Sequence, residues 1–246
     1  NYVLSSLNQQ GRLPENGAVI KTVVTSEIGK DIAHKYKTAI FDTLTGFKYI
    51  AELMQKFEDS GKYSFLFGYE ESYGYLTGTF VRDKDAVIAS MLICEMSAYY
   101  KQKGKILLDV LNDIYSEHGY YMEETVSLSF SGVIGHRKIK SIMESFRENK
   151  PNTIAGEKIP YVYDYKLSTV LNLTDGKTEK LNYPKSNVLK FLFEDYSWIV
   201  LRPSGTEPKL KVYFSIKGEN KYESKEKLER VKKEIMNLIS RVQING

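Results

Sequence analysis

The sequence has a single cysteine among its 246 residues, and it lacks a strong excess of either charge. One cysteine, Cys94, allows neither an internal disulfide nor a cysteine-built metal site. It favours a reducing compartment, and we therefore predict a cytoplasmic location. The net charge of +4, from 35 basic and 31 acidic residues, is too small and too dispersed for a nucleic-acid-binding surface. A small anionic ligand remains compatible with it.

Long hydrophobic runs are also missing. The most apolar stretch, residues 86–100, is shorter than a bilayer-spanning helix and contains Glu95, so it predicts a buried helix and no membrane partner. The three histidines are far apart in sequence, which argues against a histidine-built metal site. With 42% hydrophobic residues, the chain has enough apolar surface for two compact domains.

Strands and helices alternate through the first half of the chain. Apolar runs at residues 18–24, 38–41 and 63–67 predict three strands, and helical patterns follow at about 27–36, 46–58, 86–103 and 107–118. This alternation is typical of an α/β layer with a largely parallel sheet. We therefore predict an α/β domain over residues 1–118.

From Gly119 the pattern changes to that of a half-buried strand, in which apolar and polar residues alternate. A basic helix at about 133–148, a turn-rich stretch, two strands at 196–201 and 209–216, and a closing amphipathic helix follow. A smaller α+β domain over residues 119–246 is the prediction.

The loop between the last two strands has the components of a phosphate cradle. Guanidinium groups bind phosphate bidentately, hydroxyls and bare backbone N–H groups add donors, and strand alternation puts two further lysines on one face beside the loop. The residues concerned are Arg202, Ser204, Gly205 and Thr206, with Lys209 and Lys211. An ordinary solvated hairpin fits this pattern equally well.

A second polar turn follows the third predicted strand. It holds Glu70, Glu71 and Ser72 between two glycines, at the edge where α/β sheets commonly bind ligands. If the strand continues, Glu70 and Ser72 face the same side, and a carboxylate beside a hydroxyl suits carbohydrate hydroxyls. A solvated acidic turn is the alternative. Adjacent carboxylates diverge, which excludes a glycosidase pair.

Asp83 and Asp85 precede the helix predicted at residue 86. They resemble the start of a metal-binding loop, but the third carboxylate is absent, and the favourable interaction of acidic groups with a helix N-terminus explains them more simply.

Four segments, in this order, resemble the α-D-phosphohexomutase superfamily and its bacterial phosphoglucomutase branch. They are Thr-Leu-Thr-Gly-Phe-Lys at 43–48, Gly-Tyr-Glu-Glu-Ser-Tyr-Gly at 68–74, Phe-Val-Arg-Asp-Lys-Asp at 80–85 and Arg-Pro-Ser-Gly-Thr-Glu-Pro-Lys at 202–209. The resemblance covers essentially the whole chain and implies the third and fourth domains of a four-domain enzyme.

The resemblance also implies roles for single residues. Glu70 and Ser72 would bind sugar hydroxyls, and Lys84 matches a basic active-site residue of the family. The phosphate that is not transferred would be held by Arg202, Ser204, Gly205 and Thr206. Lys21 and Lys48 are weaker candidates for the site. Some relatives have a histidine where this chain has Phe47 or Gly74, so a histidine role does not carry over.

The family transfers phosphate through a phosphoserine and a magnesium ion held by an Asp-rich loop, with glucose 1,6-bisphosphate as intermediate, and neither motif occurs here. The chain also begins with Asn1 inside a helical pattern and without a signal-peptide pattern. We therefore expect a hexose-phosphate isomerase whose amino-terminal domains are absent from this chain, and a chain that is inactive alone. Phosphomannomutase, phosphopentomutase and a non-catalytic sugar-phosphate-binding module are the alternatives.

Overall fold

A computed structural model describes residues 1–243, the side chain of residue 133 excepted. The last three residues of the predicted second domain thus lie outside the described part. The chain divides into two compact units, residues 1–119 and the remainder from Tyr120. Within the described residues, no helix combines the length and the apolar character that crossing a bilayer would require.

The first unit contains a four-stranded sheet in the order β2-β1-β3-β4. Its first three strands are parallel and β4 is an antiparallel edge strand, which confirms the largely parallel sheet. The strands are β1 (Gly17–Thr22), β2 (Ala39–Thr43), β3 (Ser64–Glu70) and β4 (Gly74–Leu76). Every residue of β1 is buried, as its β-branched apolar sequence predicts for a central strand.

Helices cover both faces of this sheet. They are α1 (Tyr2–Gln9), α2 (Ile28–Lys35), α3 (Phe47–Ser60), α4 (Ala86–Gln102) and α5 (Leu107–His118). Alternate residues of β1 point to opposite faces, so that Ile20 packs with Ile50 of α3, and Val19 packs with Ile32 of α2. The result is a three-layer α/β unit.

The helix predicted at residues 86–100 forms, but the prediction that it is buried is wrong. The helix forms as α4, but it has no buried residue, and Val87 and Met91 are 81% and 56% exposed. Its neighbours include β4, α5 and α1, but β4 has only three residues and contacts from α1 such as the Tyr2–Glu95 hydrogen bond leave most of this seventeen-residue helix uncovered. Cys94 on this helix is exposed and free.

The second unit is built on a seven-stranded antiparallel sheet in the order β10-β9-β8-β11-β12-β13-β5. Its strands are β5 (Tyr120–Ser129), β8 (Tyr161–Asp164), β9 (Thr169–Asn172), β10 (Thr178–Lys180), β11 (Leu189–Leu192), β12 (Trp198–Pro203) and β13 (Lys209–Gly218), and β6 (Thr153–Ile154) pairs with β7 (Glu157–Lys158). The six strands β6 to β11, between residues 153 and 192, are missing from the sequence prediction.

Two helices, α6 (Gly132–Glu148) and α7 (Lys221–Arg241), contribute to the core of the second unit. Ile142 of α6 and Ile235 of α7 are fully buried with Leu210 and Val212 of β13. The apolar face predicted for the closing helix is the face that packs against the sheet. This helix and sheet arrangement is the predicted α+β class.

The two acidic residues before α4 differ in what they contribute to stability. Asp85 is the N-cap and accepts hydrogen bonds from the N–H groups of Val87 and Ile88, at 2.8 and 3.1 Å, so Asp85→Ala should lower the free energy of unfolding of the first unit by about 1 kcal/mol. Asp83, which is exposed and pairs with Lys84, is the matched control, and Asp83→Ala should cost less than about 0.5 kcal/mol. Urea unfolding followed by circular dichroism measures both. Equal losses would contradict the capping role.

Candidate functional site

The three parallel strands of the first unit end at one edge of the sheet, and polar loops follow them there. Residues 23–27 follow β1, residues 44–46 follow β2, and residues 71–73 join β3 to β4. The chain leaves β1 towards β2 and leaves β3 towards β4 on the opposite side. Ligands of open α/β sheets bind where connections diverge in this way, so this edge is the candidate sugar site.

Glu70 is the last residue of β3 and is only 6% exposed. Its Oε1 atom accepts a 2.7 Å hydrogen bond from the N–H of Gly46, the residue before α3, whose φ of 123° favours glycine. The Glu70 carboxylate therefore ties the end of β3 to the loop after β2. One of its oxygens is engaged in the fold while the group remains at the candidate edge.

Gly74 brings the other oxygen of Glu70 close to Lys84. A Cβ atom at Gly74 would lie 3.3 Å from Glu70 Oε2 and 3.2 Å from Lys84 Cδ. Because glycine has no side chain, the carboxylate and the lysine stem approach the same point of the backbone. The structure thus places two of the predicted site residues side by side.

Lys84 is about half exposed, and its Nζ atom lies 3.0 Å from Asp83 Oδ1 and 6.0 Å from the ring centre of Phe47. The Lys84 ammonium, together with its backbone N–H, holds the pKa of Asp83 below the ordinary value. A partly exposed ammonium beside a buried carboxylate is suited to meeting an anionic ligand.

Ser72 lies in the exposed turn of residues 71–73. The strand ends at Glu70, so the alternation of side chains along a strand does not place Ser72 on the same side as Glu70. Ser72 itself is exposed in the turn that follows Glu70.

Lys21, a weaker candidate for substrate binding, is fully buried and is not placed to contact a ligand. Its Nζ atom lies 3.0 Å from Asp42 Oδ1 and 3.3 Å from Glu27 Oε2, and it donates to the carbonyl oxygens of Thr22 and Thr25. A buried ammonium requires such partners, which here come from β2, from the start of α2 and from the loop after β1. Lys21 is a scaffold residue in this structure.

Lys48, the other weaker candidate, is exposed near the start of α3. Its Nζ atom lies 4.9 Å from the ring centre of Tyr49. The ammonium group therefore lies beside its own helix and not among the carboxylates that pair with Lys21. Exposure leaves it available to an anion.

The partners of Lys21 were not predicted from the sequence. Lys30 of α2 also bridges Glu27 and Asp42, at 2.8 Å from each carboxylate. Burial opposes the charge on Lys30, yet Asp42 and Glu27 together raise its pKa above the ordinary value. A lysine inside an apolar strand was the available signal, because such a residue demands carboxylate partners.

A second contact that was not predicted connects the cluster of Lys21, Lys30, Glu27 and Asp42 to the turn at residues 71–73. The Thr22 hydroxyl lies 2.7 Å from that of Thr25 and donates to Glu71 Oε2 at 3.3 Å. Thr22 ends β1 and Glu71 follows β3, so the bond crosses the edge between the two strands. Together with the bond between Gly46 and Glu70, it ties the turn to the segments that follow β1 and β2.

The predicted phosphate loop joins β12 to β13 in the second unit. The N–H of Ser204 donates to the carbonyl of Lys209 at 2.8 Å, which closes the loop. The Ser204 Oγ atom accepts from the N–H groups of Thr206 and Glu207, each at 3.4 Å. These are long hydrogen bonds, and a bound oxyanion would be a stronger acceptor for the same donors.

Arg202 and Lys211 are direct partners across the hairpin, so their side chains share one face of the sheet. Arg202 is partly exposed, and its Nη1 atom donates to the Tyr213 hydroxyl at 3.2 Å. Lys209 pairs with Glu207 at 3.0 Å, while Leu210 between the two lysines is buried. The predicted alternation therefore holds at the loop end of β13, whereas Tyr213 and Ser215 further along the strand are buried on the face of the lysines.

Gly205 is exposed, and a Cβ atom built on it would meet no other atom within 4 Å. Neither a left-handed backbone nor crowding by the protein therefore requires glycine at this position. The open space over Gly205 and Thr206 is compatible with the approach of a ligand to the bare backbone.

Residues 1–243 contain no group of three histidine, cysteine or carboxylate side chains that could hold a metal ion. Asp85 of the Asp-Lys-Asp segment is committed to capping α4. The side chains of the two loops are hydrogen-bond donors, hydrogen-bond acceptors and cations.

The chain matches two models of one protein family. Residues 2–118 match "phosphoglucomutase/phosphomannomutase, alpha/beta/alpha domain III", and residues 166–238 match "phosphoglucomutase/phosphomannomutase, C-terminal domain". Among similar proteins, phosphoglucomutase of Staphylococcus haemolyticus is 39% identical over 238 residues, which are 97% of this chain and 41% of that protein. Phosphoglucomutase of Staphylococcus aureus strain MSSA476 is 42% identical over 82% of this chain and 36% of its own length. The chain thus spans about two fifths of these relatives.

Solved structures agree in fold. The phosphoglucomutase pp63/parafusin of Paramecium aligns over 91% of this chain and 37% of its own, with a TM-score of 0.62 and 18% identity. A phosphoglucomutase/phosphomannomutase family protein of Burkholderia thailandensis aligns over 99% of this chain and 41% of its own, with a TM-score of 0.51 and 9% identity. With the resemblance of the four segments confirmed by both family models, the chain belongs to the phosphoglucomutase/phosphomannomutase family, as its domain III and its C-terminal domain.

Proposed function

We propose that this chain is the substrate-recognition part of a phosphoglucomutase, which interconverts glucose 1-phosphate and glucose 6-phosphate through a phosphoserine and a bisphosphate intermediate. The observation that carries the proposal is the 39% identity to a staphylococcal phosphoglucomutase over 238 residues, a stretch long enough to include both recognition loops. The local geometry of each loop supports the same division of roles.

The turn at residues 70–74, which we call the sugar-reading turn, recognises the sugar through hydrogen bonds to its hydroxyls. Glu70 is held by Gly46, and its second oxygen lies at Gly74 beside Lys84, so the carboxylate is positioned before ligand arrives. A fixed carboxylate accepts hydrogen bonds from sugar hydroxyls, and the Ser72 hydroxyl adds a donor and an acceptor. Lys84 supplies positive charge close to the reacting phosphate.

The loop at residues 204–208 holds the phosphate that is not being transferred. Arg202 and Lys211 provide charge from one face of the hairpin, and the hydroxyls of Ser204 and Thr206 with the backbone at Gly205 provide donors. Lys209 contributes to the positive field although it pairs with Glu207. Such a cradle contacts the phosphate alone, so it accepts a phosphate on either C1 or C6.

Two steps of the reaction need groups that lie elsewhere. No described cluster fits magnesium, so we place the ion, the phosphoserine and the Asp-rich loop in the amino-terminal domains of the polypeptide. Those domains and hexose phosphate are the proposed partners, and glucose 1,6-bisphosphate is the proposed activator. The cytoplasm is the proposed location, because hexose phosphates are kept there by their charge and Cys94 is a free thiol.

Phosphomannomutase is the second candidate, because the family models that match cover both activities. The two sugars differ only in the configuration at C2. Glu70 and Ser72 can distinguish glucose from mannose only if one of these residues forms a hydrogen bond with the C2 hydroxyl.

Removal of the Arg202 guanidinium should weaken the binding of sugar phosphate. In the intact polypeptide, Arg202→Ala should cost roughly 2–3 kcal/mol for glucose 1-phosphate and for glucose 6-phosphate, because charge-assisted hydrogen bonds to the phosphate are lost. Isothermal titration calorimetry measures both affinities. Arg230, which is exposed on α7 and lies 3.6 Å from Glu157, is the control, and Arg230→Ala should bind like the wild type. Equal effects of the two variants would refute the cradle.

A coupled assay tests the function itself. The intact polypeptide should convert glucose 1-phosphate to glucose 6-phosphate in the presence of magnesium and glucose 1,6-bisphosphate, and this chain alone should show no turnover because it lacks the phosphoserine. Mannose 1-phosphate and ribose 1-phosphate as substrates separate the other mutase activities. Binding without turnover of any of these substrates by the intact polypeptide would indicate a non-catalytic module, and bisphosphate-dependent turnover by this chain alone would overturn the assignment of roles.

A further inference from the structure

Tyr73 stands out in the sugar-reading turn by its backbone and its exposure. It lies between Ser72 and Gly74, has a φ of 64°, and is 86% exposed. Left-handed backbone is unfavourable for a residue with a Cβ atom, and glycine or asparagine would adopt it more readily. The turn therefore carries a large aromatic ring in a conformation that costs free energy.

Nothing in the described part of the chain compensates for this cost. Among residues 1–243, the Tyr73 side chain has no hydrogen bond, ion pair or ring contact. Its neighbours along the turn are fixed, since Glu70 binds Gly46, Glu71 accepts from Thr22, and Gly74 is buried against Lys84. A strained residue in a well-anchored turn is an arrangement found at ligand-binding sites.

We infer that Tyr73 is a sugar-stacking residue, an inference that rests on the proposed function. The apolar face of the phenol ring packs against the C–H face of the hexose ring, while Glu70 and Ser72 take its hydroxyls. An aromatic side chain has few rotatable bonds, so it offers a large contact area at a low cost in conformational entropy. Tyr73 thus adds recognition of the ring itself, and that recognition does not depend on which carbon carries the phosphate.

The chain contains a matched control for the backbone effect. Tyr196, in the hairpin between β11 and β12, has a φ of 67° and is 67% exposed. Its backbone N–H donates to the carbonyl of Phe193 at 3.2 Å, as in a tight hairpin turn. Replacement of either tyrosine by glycine or asparagine relieves the same kind of backbone strain, but only Tyr73 lies in the sugar-reading turn.

The test compares Tyr73→Asn, Tyr73→Gly, Tyr73→Phe and Tyr196→Asn in the intact polypeptide. Thermal unfolding reports the fold, and calorimetric titration with glucose 1-phosphate and with inorganic phosphate separates sugar from phosphate recognition. Tyr73→Asn and Tyr73→Gly should keep or raise the melting temperature and weaken glucose 1-phosphate binding about threefold to tenfold, with phosphate binding unchanged. Tyr73→Phe and Tyr196→Asn should bind both ligands like the wild type.

Three outcomes would overturn the inference. Wild-type affinity of Tyr73→Asn and Tyr73→Gly for glucose 1-phosphate would remove the stacking role and leave the proposed function intact. An equal loss for glucose 1-phosphate and phosphate would show a general disturbance of the turn. A wild-type protein that binds glucose 1-phosphate no better than inorganic phosphate would refute the proposed function, and the stacking role with it.

Discussion

The candidate sugar site depends on a buried ammonium group. Lys21 is fully buried at the carboxyl end of β1, and its partners belong to β2, α2 and the loop after β1. A buried charge without partners would cost several kcal/mol, so these segments are held in one arrangement by the need to neutralise it. Thr22, the next residue, donates a hydrogen bond to Glu71 and so connects this cluster to the turn that follows Glu70. The scaffold and the recognition turn are thus one hydrogen-bonded unit.

The two loops proposed to bind ligand differ in burial and in hydrogen bonding. Glu70 is buried and already bonded to Gly46, which suits discrimination among hydroxyl groups at fixed positions. The loop around Gly205 is exposed, and the N–H groups of Thr206 and Glu207 make only long hydrogen bonds to the Ser204 hydroxyl. An exposed, charged cradle binds a phosphate without regard to the rest of the molecule. A mutase requires both properties, because the same sugar must be bound in two orientations.

The sequence predicted the helices but only six of the thirteen strands in the described part of the chain, and the resemblance implied the roles proposed for the loops. Periodicity identified the helix at residues 86–102, but hydrophobicity alone does not say which surface covers a helix, so the exposure of α4 was not predictable. The strands at residues 153–180 are only two to four residues long and the edge strand β10 is exposed throughout, so they are too short for a pattern that predicts strands. The burial of Lys21 depends on Asp42, whose proximity arises only from the parallel register. Long-range partners of this kind are absent from local patterns.

The central claim is that the turn at residues 70–74 reads the sugar and the loop at residues 204–208 reads the phosphate in either orientation. Backbone amide NMR of the intact polypeptide, titrated separately with glucose 1-phosphate and glucose 6-phosphate, tests it most directly. The account predicts that both ligands shift the amide signals of both segments, and that inorganic phosphate shifts those of residues 204–208 alone. Shifts at residues 70–74 with inorganic phosphate, or no shift in either segment with the two sugar phosphates, would contradict the account.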